Sequence, residues 1–192
     1  MSQKRVNLFG VKIDDISLAE ALSRCEEKIR CGARMKVFTP NLEMLSAARK
    51  STNIRKTLNR ASLSLPDGFS LRPIAHLLGK ELKNTVAGID FGRGLIDLCA
   101  KECVGIFLLG GKRGVALRAA QKLKREIPDL KIYGIYHGYF SSNQESEIIN
   151  KIDNSGARVV FVCLGFPRQE LFAQRLQERL KNPTIIVCLG GS

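Results

Sequence analysis

The sequence predicts an α/β protein in which a mostly parallel sheet is covered by helices on both faces. Apolar runs of strand length alternate with segments whose apolar residues recur every three or four positions. Three runs, at residues 104–109, 159–164 and 184–189, are apolar throughout. A strand that is apolar on both sides is typical of a parallel sheet between two helical layers. We therefore expect one Rossmann-like domain spanning all 192 residues.

The elements follow in chain order from these two patterns. Strands are expected at residues 8–13 (a short strand or hairpin edge), 35–38, 62–65, 104–109, 131–135, 159–164 and 184–189. Helices are expected at residues 18–29, 40–48, 52–59, 69–78, 90–99, 114–127, 144–154 and 167–180.

Local signals place two of the helix starts. Ser17 is a favourable N-cap, because its hydroxyl can accept a hydrogen bond from the first helical turn. Thr39 can cap the next helix with Pro40 at its first position, where a missing N–H has no cost. One of these helices is expected to carry Leu42, Leu45 and Ala48 inward. The helix at 114–127 is expected to have an apolar face, formed by Val115, Ala119, Leu123 and Ile127.

The chain is strongly basic, with 31 Lys and Arg against 18 Asp and Glu and a net charge of +13. The excess is spread over both halves, with 17 basic against 9 acidic residues in 1–96 and 14 against 9 in 97–192. Such a surface attracts anionic lipids, nucleotides or pyrophosphates, and nucleic acid. No basic tail and no interleaving of aromatic with basic residues is present, so we do not expect a nucleic-acid partner.

The start of the chain and the cysteines both indicate a cytoplasmic protein. Lys12, Asp14 and Asp15 interrupt the apolar run that a signal peptide needs, and the longest apolar runs are too short to span a bilayer. The six cysteines form no C-x-x-C pair and have no histidine at zinc spacing. We expect reduced, mostly buried thiols and no dedicated metal site, and we expect His76 to be a partly buried structural residue.

Polar residues follow several of the predicted strands. Two such corners are Thr39-Pro40-Asn41-Leu42-Glu43 and Leu65-Pro66-Asp67-Gly68, and a third is Gly165-Phe166-Pro167-Arg168-Gln169-Glu170. The carboxyl ends of parallel strands open onto one crevice, where ligands bind. Each corner also has a purely local interpretation, as a turn or a helix cap.

Two further corners belong to the same edge. Gly110-Gly111-Lys112-Arg113-Gly114 could place backbone N–H groups and a helix start around a phosphate, or could be a tight turn with solvated cations. It lacks the G-x-G-x-x-G spacing of a dinucleotide fingerprint and the G-K-[ST] ending of a P-loop. His137-Gly138-Tyr139-Phe140 follows another strand, and its histidine is either a ligand-binding or a structural residue.

Six segments in this order resemble one known family. They are Thr39-Pro40-Asn41-Leu42-Glu43, Pro66-Asp67-Gly68, Val86-Ala87-Gly88-Ile89-Asp90, Phe107-Leu108-Leu109-Gly110-Gly111, His137-Gly138-Tyr139-Phe140 and Gly165-Phe166-Pro167-Arg168-Gln169-Glu170. In their residues and in their order along the chain they are similar to the WecG/TagA/CpsF bacterial glycosyltransferases, over about residues 6–192.

This resemblance implies an inverting, metal-independent transfer of an N-acetylhexosamine, typically N-acetylmannosamine, from a UDP-sugar to polyprenyl-pyrophosphate-linked N-acetylglucosamine. Asp67 matches the general base of the family, and no cofactor is implied. Thr39, Asn41 and Gln169 match positions near the sugar and the acceptor, and Gly110 and Gly111 would hold the nucleotide or phosphate. Other positions of the matching motifs are expected to bind substrate: Asp90, His137, Gly138, Tyr139, Gly165, Pro167 and Glu170.

The end of the chain departs from the family pattern. It stops at Gly190-Gly191-Ser192, where family members continue into a basic, amphipathic segment associated with the inner membrane face. We therefore expect a shortened chain with weak or no transferase activity, in which an uncovered apolar patch would favour homo-oligomers. A peripheral membrane location is expected for the longer protein.

Two other classes of function are weighed against the transferase. An oxidoreductase would share the α/β layout, but the chain has no G-x-G-x-x-G with an acidic residue about 20 positions on. A nucleotide-binding module without chemistry would explain the glycine-rich corner and leave Asp67 as a turn residue.

Overall fold

The structure, a computed structural model, describes residues 4–189. The Gly190-Gly191-Ser192 end, on which the expectation of a shortened chain rests, lies outside the described residues. The strands are β1 (Arg5–Leu8), β2 (Val11–Asp14), β3 (Met35–Phe38), β4 (Leu63–Ser64), β5 (Ile106–Gly110), β6 (Ile132–Tyr136), β7 (Val159–Cys163) and β8 (Ile185–Cys188). The helices are α1 (Leu18–Arg30), α2 (Leu42–Lys50), α3 (Thr52–Leu58), α4 (Leu71–Leu77), α5 (Gly88–Lys101), α6 (Val115–Glu126), α7 (Glu145–Ser155) and α8 (Arg168–Arg179), with a 3-10 turn at Ser142–Gln144.

Six of these strands form one sheet in the order β4-β3-β8-β7-β5-β6. Every neighbouring pair in it is parallel, which confirms the predicted Rossmann-like sheet. The chain passes from β5 to β6 on one side and from β7 to β8 on the other. Connections that leave adjacent strands in opposite directions open a crevice at the carboxyl ends of those strands. In this sheet the crevice lies between β5 and β7.

Two hydrophobic cores lie on the two faces of the sheet. Alternate residues of β7 supply them, with Val160 and Val162 in one core and Val159 and Phe161 in the other. The first core is covered by buried residues of α2, α3, α7 and α8, and the second by those of α1 and α5. This two-sided burial is why the central strands are apolar at every position.

The segment predicted as a strand or hairpin edge is a two-stranded antiparallel hairpin, β1–β2, that begins at Arg5. Its turn is Phe9-Gly10, and both residues have positive φ (52° and 85°), as a two-residue hairpin turn requires. The hairpin is fastened to β4 by Asp14, which is fully buried. The Asp14 Oδ2 atom accepts a 2.7 Å hydrogen bond from the Ser64 N–H, and Oδ1 accepts one of 2.8 Å from Arg5 Nε.

The helix starts agree with the sequence in one case and differ in another. Ser17 caps α1 in a reciprocal capping box with Glu20, as predicted. The cap of α2 is Asn41, whose Oδ1 accepts from the Met44 N–H, so the prediction of Thr39 as cap was wrong. Because the helix begins two residues later, Met44 is buried and Leu42 is 42% exposed.

The apolar face predicted for α6 is not buried in either core. Val115 and Ala119 are exposed, and Leu123 is only half-buried. The fully buried residue of this helix is Ala120. This apolar face lines a cavity between α5 and α6.

The cysteine and histidine expectations need correction. All six thiols are free, but only Cys25, Cys99 and Cys188 are buried, whereas the other three are exposed. His76 is exposed on α4 rather than partly buried. Within residues 4–189, no helix combines the length and the apolar character needed to cross a membrane.

Replacing Asp14 by alanine tests the attachment of the hairpin. The change leaves the buried Ser64 N–H without its acceptor and removes the charge-assisted bond to Arg5, so we expect a loss of about 2–4 kcal/mol in the free energy of unfolding. Urea titration measures it. The control is Asp97→Ala, which removes an exposed 3.4 Å ion pair with Arg93 and is expected to cost about 0.5 kcal/mol. Equal losses in the two variants would contradict this role for Asp14.

Candidate functional site

A cavity of about 700 Å³ opens at the carboxyl end of the sheet, between the start of α5 and the side of α6. Its floor is formed by residues of β5 and β7 and by Leu189 after β8. The apolar lining is Ala87, Ile89, Ile96, Leu108, Leu109, Val115, Ala116, Ala119, Leu123, Phe161 and Leu189. The polar and backbone lining is Asn41, Asp67, Gly88, Gly110, Gly111 and Cys163. The cavity thus has an apolar interior and a polar rim, which is the usual composition of a small-molecule site.

Asp67 is the carboxylate of this rim. Its corner is held to both neighbours by backbone bonds, from the Asp67 N–H to the Pro40 carbonyl (3.0 Å) and from the Val86 N–H to the Pro66 carbonyl (2.9 Å). The carboxylate is half-buried, and its Oδ1 accepts from the Gly88 N–H at 3.2 Å. Gly88 opens α5, and a helix N-terminus is a favourable neighbour for a negative charge. Oδ2 has no hydrogen-bond partner within residues 4–189 and remains available to a ligand hydroxyl.

Gly88 lies close to both Asp67 and Thr39. A Cβ on Gly88 would lie 3.5 Å from both Asp67 Oδ2 and Thr39 Oγ1. Thr39 is 2% exposed and donates its hydroxyl to the Cys188 carbonyl at 3.3 Å, so it ties the end of β3 to the end of β8. It therefore lies beneath the rim rather than on it. Asn41 does line the cavity, although its Oδ1 is used to cap α2.

The glycine corner after β5 is built by a close approach of two strands. Gly110 has φ +145°, and a Cβ there would lie 2.2 Å from the Cys163 carbonyl oxygen, so only glycine fits. The Gly111 N–H donates to that same carbonyl at 3.3 Å and is not free for a ligand. The Val115 N–H donates to the Lys112 carbonyl at 3.0 Å, so the available donors are the next N–H groups of α6, those of Ala116 and Leu117; Gly114 is the N-cap and no side chain caps this helix. Lys112 and Arg113 are exposed beside this helix start.

The corner after β6 is attached to the glycine corner. The Gly138 N–H donates to the Gly111 carbonyl at 2.8 Å, and the Tyr139 N–H donates to His137 Nδ1 at 3.2 Å. Arg168 braces this corner from α8, donating to the Gly138 carbonyl (2.7 Å) and the Phe140 carbonyl (2.9 Å). Its guanidinium also lies 4.4 Å from the centre of the Phe140 ring. Arg168 therefore positions a loop.

Gln169 and Glu170 form a buried pair at the start of α8. Each is 1% exposed, and Gln169 Nε2 donates to Glu170 Oε1 at 2.9 Å. Gln169 Oε1 and Glu170 Oε2 have no hydrogen-bond partner within residues 4–189. Burial raises the pKa of Glu170 from its ordinary value of 4.5 to about 6, and the hydrogen bond from Gln169 partly opposes that rise. The pair lies near Cys188, whose Sγ donates to the Gln169 carbonyl at 3.5 Å.

The structure brings together part of the predicted set. Asp67, Asn41, Gly110 and Gly111 line the cavity, and Thr39, Gln169 and Glu170 are buried outside its lining. The other predicted residues also lie outside the lining: Asp90, His137, Gly138, Tyr139, Gly165 and Pro167.

The residues of the site that the sequence did not predict are mainly apolar or act through their backbone atoms. Gly88 binds Asp67 through its N–H, and Cys163 shapes the glycine corner through its carbonyl. Ile96 of α5 lines the cavity, as do Ala119 and Leu123, which the sequence assigned to the apolar face of α6. The one available signal was the motif Val86-Ala87-Gly88-Ile89-Asp90, in which a glycine stands beside a predicted helix start.

Comparison with known proteins agrees with this architecture. Residues 6–192 match the model of the Glycosyl transferase WecG/TagA/CpsF family, and the chain belongs to this family. The resemblance seen in the sequence is therefore confirmed.

Two curated relatives carry the same name, N-acetylglucosaminyldiphosphoundecaprenol N-acetyl-beta-D-mannosaminyltransferase. The one from Bacillus spizizenii (strain ATCC 23059 / NRRL B-14472 / W23) is 31% identical over 156 residues, and the one from Bacillus subtilis (strain 168) is 30% identical over 156 residues. Each match covers 81% of this chain and 60% of the relative, so the chain spans about 60% of the length of these proteins.

The pKa of Glu170 predicts a pH-dependent difference between wild type and Glu170→Gln. The pKa of Glu170 is about 6 in the folded protein and near 4.5 in the unfolded chain. Between pH 4.5 and 6 the Glu170 carboxyl therefore keeps its proton in the folded state and loses it in the unfolded state. The contribution of this group to stability therefore falls as pH rises from about 4.5 to 6 and stays lost above that.

Glu170→Gln removes the titration and keeps the acceptor for Gln169. We expect the variant to be more stable than wild type by about 2 kcal/mol at pH 7 and to show little difference near pH 4.5. Urea titrations at both pH values measure this. The exposed Glu178→Gln serves as the control and should show no such change. A pH-independent difference for Glu170→Gln would contradict the raised pKa.

Proposed function

We propose that the protein transfers an N-acetylhexosamine, N-acetylmannosamine in the first instance, from a UDP-sugar to a polyprenyl-pyrophosphate-linked N-acetylglucosamine. The observation that carries this proposal is the position of Asp67 on the rim of the cavity, in a chain of a glycosyltransferase family. The name shared by the two Bacillus relatives supports the choice of sugar and of a lipid-linked acceptor.

The reaction we propose is a single displacement with inversion at the anomeric carbon. Asp67 accepts the proton of the acceptor hydroxyl, and the oxygen of that hydroxyl forms a bond to the anomeric carbon of the donor sugar. The bond from that carbon to the oxygen of the UDP phosphate breaks, and UDP leaves with the electron pair. Asp67 suits this task because Gly88 fixes one carboxylate oxygen and the other has no partner within residues 4–189.

Negative charge grows on the departing UDP and needs compensation. We propose that the uncapped start of α6 and the exposed Lys112 and Arg113 supply it, so that no metal ion is required. The donor would then place its pyrophosphate near the glycine corner and its nucleoside against the apolar wall of α6. The sugar between them would point towards Asp67.

Filling the cavity tests the donor site. Ala119 lines the cavity from α6 and is exposed, so Ala119→Phe adds a ring inside it with little risk to the fold. We expect at least about a tenfold weaker binding of UDP and UDP-N-acetylmannosamine, measured by titration calorimetry in the presence of EDTA. The control is Leu117→Phe on the same helix, at a residue outside the lining. Unchanged UDP binding by Ala119→Phe would place the donor elsewhere, and binding of NAD instead of UDP would overturn the transferase assignment.

Asp67→Asn tests the general base. Asparagine keeps an oxygen that can accept from the Gly88 N–H, so we expect the fold and UDP binding to be retained. Turnover should fall by about 100-fold or more, the usual loss when an acid-base group is removed. The assay follows sugar transfer from UDP-N-acetylmannosamine to a lipid-linked N-acetylglucosamine pyrophosphate.

Asp129→Asn, in the exposed turn before β6 at the opposite edge of the sheet, is the control for this assay. Near-normal turnover by Asp67→Asn would remove Asp67 from the role of base. UDP binding by the wild type without any transfer to the acceptor would favour the alternative of a nucleotide-binding module without chemistry.

A further inference from the structure

The helix α6 forms one wall of the cavity and is weakly anchored to the rest of the protein. Among its 12 residues Ala120 is the one that is buried, whereas α8, which is equally long, has six buried residues. The chain enters α6 through the glycine corner, where Gly110, Gly111 and Gly114 all have positive φ. A segment with few buried side chains opens locally at a low cost in free energy. The position of α6 beside the cavity therefore depends on its remaining contacts.

One of these contacts is an ion pair between α6 and α5. Arg93 Nη1 of α5 donates to Glu126 Oε2 of α6, and Arg93 Nε also lies 3.4 Å from Asp97 Oδ1. Within residues 4–189 no other side-chain hydrogen bond or ion pair joins α6 to another helix or to a strand. The hydrogen bond from Arg93 lowers the pKa of Glu126 below its ordinary value of 4.5, so both partners are charged at neutral pH.

The ion pair joins the two walls of the cavity. Arg93 follows the lining residue Ile89 by four positions and precedes the lining residue Ile96 by three, so it shares their face of α5. Glu126 follows the lining residue Leu123 by three positions and shares its face of α6. The pair thus connects the walls at the end of the cavity distant from the glycine corner. Exposed ion pairs contribute little to the free energy of unfolding, so its value lies in where it holds α6.

We propose that Arg93 and Glu126 are positioning residues that hold α6 at the distance from α5 that the donor nucleotide needs. We call this ion pair the latch. Neither residue lines the cavity, so the latch acts through the lining residues of α6 and not by contact with the ligand. Release of the latch lets α6 move outward about the glycine corner, which takes the apolar wall away from the nucleoside. The role in nucleotide binding rests on the proposed function, whereas the attachment of α6 does not.

Charge reversal tests the latch through UDP binding. Glu126→Lys and Arg93→Glu each place like charges opposite one another, so each single variant should bind UDP at least about threefold more weakly than wild type. Glu126→Lys is the more informative of the two, because an added positive charge by itself would strengthen the binding of anionic UDP. The double variant restores an attractive pair and should bind UDP more tightly than either single variant. Titration calorimetry in the presence of EDTA measures the affinity, and the urea midpoint of unfolding should change little.

The thiol of Cys163 provides a second measurement that needs no nucleotide. Cys163 lines the cavity and is exposed there, while burial by the surrounding protein atoms raises the pKa of its thiol to about 11. N-ethylmaleimide should label Cys163 at least about threefold faster in the single variants than in wild type, because α6 no longer covers the cavity. Peptide mass spectrometry separates this reaction from that of the exposed Cys31 and Cys103, which lie outside the lining and should react at unchanged rates.

The matched control is the ion pair between Arg30 Nη2 and Glu102 Oε1, at 2.8 Å. It joins α1, and not α6, to the residue that ends α5. Glu102→Lys should therefore leave both the UDP affinity and the labelling rate of Cys163 as in wild type.

The two measurements separate the latch from the proposed function. If wild type binds UDP, unchanged UDP affinity in the single variants, or a double variant no better than they are, would overturn the positioning role. Faster labelling of Cys163 in the single variants, reversed in the double variant of a protein that does not bind UDP, would support the attachment of α6 and contradict the transferase. UDP binding by wild type, with neither affinity nor labelling altered by the reversals, would support the donor site and overturn the latch.

Discussion

The burial of the central strands on both faces is the constraint on which the rest of this structure depends. Val160 and Val162 of β7 enter one core, while Val159 and Phe161 enter the other. Such strands require a helical layer on each side, and parallel crossovers supply those layers. The same crossovers bring every strand-to-helix corner to one edge of the sheet. The position of the site is therefore a consequence of the crossovers that cover the two cores.

Backbone groups make up much of the candidate site. The Gly88 N–H holds the Asp67 carboxylate, and the Cys163 carbonyl receives the Gly111 N–H across the crevice. Gly110 allows that approach because a Cβ would meet the carbonyl. Backbone placed by regular elements moves little, so the Asp67 carboxylate and the start of α5 that holds it keep a fixed geometry.

The site and its surroundings also carry costs to stability. Glu170 is buried beside Gln169 with an oxygen that has no partner within residues 4–189, and its raised pKa reflects that burial. The apolar face of α6 borders a cavity instead of closing on α5, and Phe69 and Leu77 remain in solvent. Features that a stable fold alone would not need are typical of places where a protein meets its ligands and partners.

The sequence by itself determined the parallel α/β class, the order of the elements, the Ser17 cap and the shared edge that holds Asp67, because these follow from local periodicity and short-range hydrogen bonding. Tertiary structure alone decided which residues surround Asp67. Thr39 looked like a helix cap but bonds to Cys188, which is 149 positions away. Arg168, at the start of α8, holds the loop at Gly138, which lies 30 positions away. Both outcomes depend on partners distant in sequence, and no local pattern records where those partners lie.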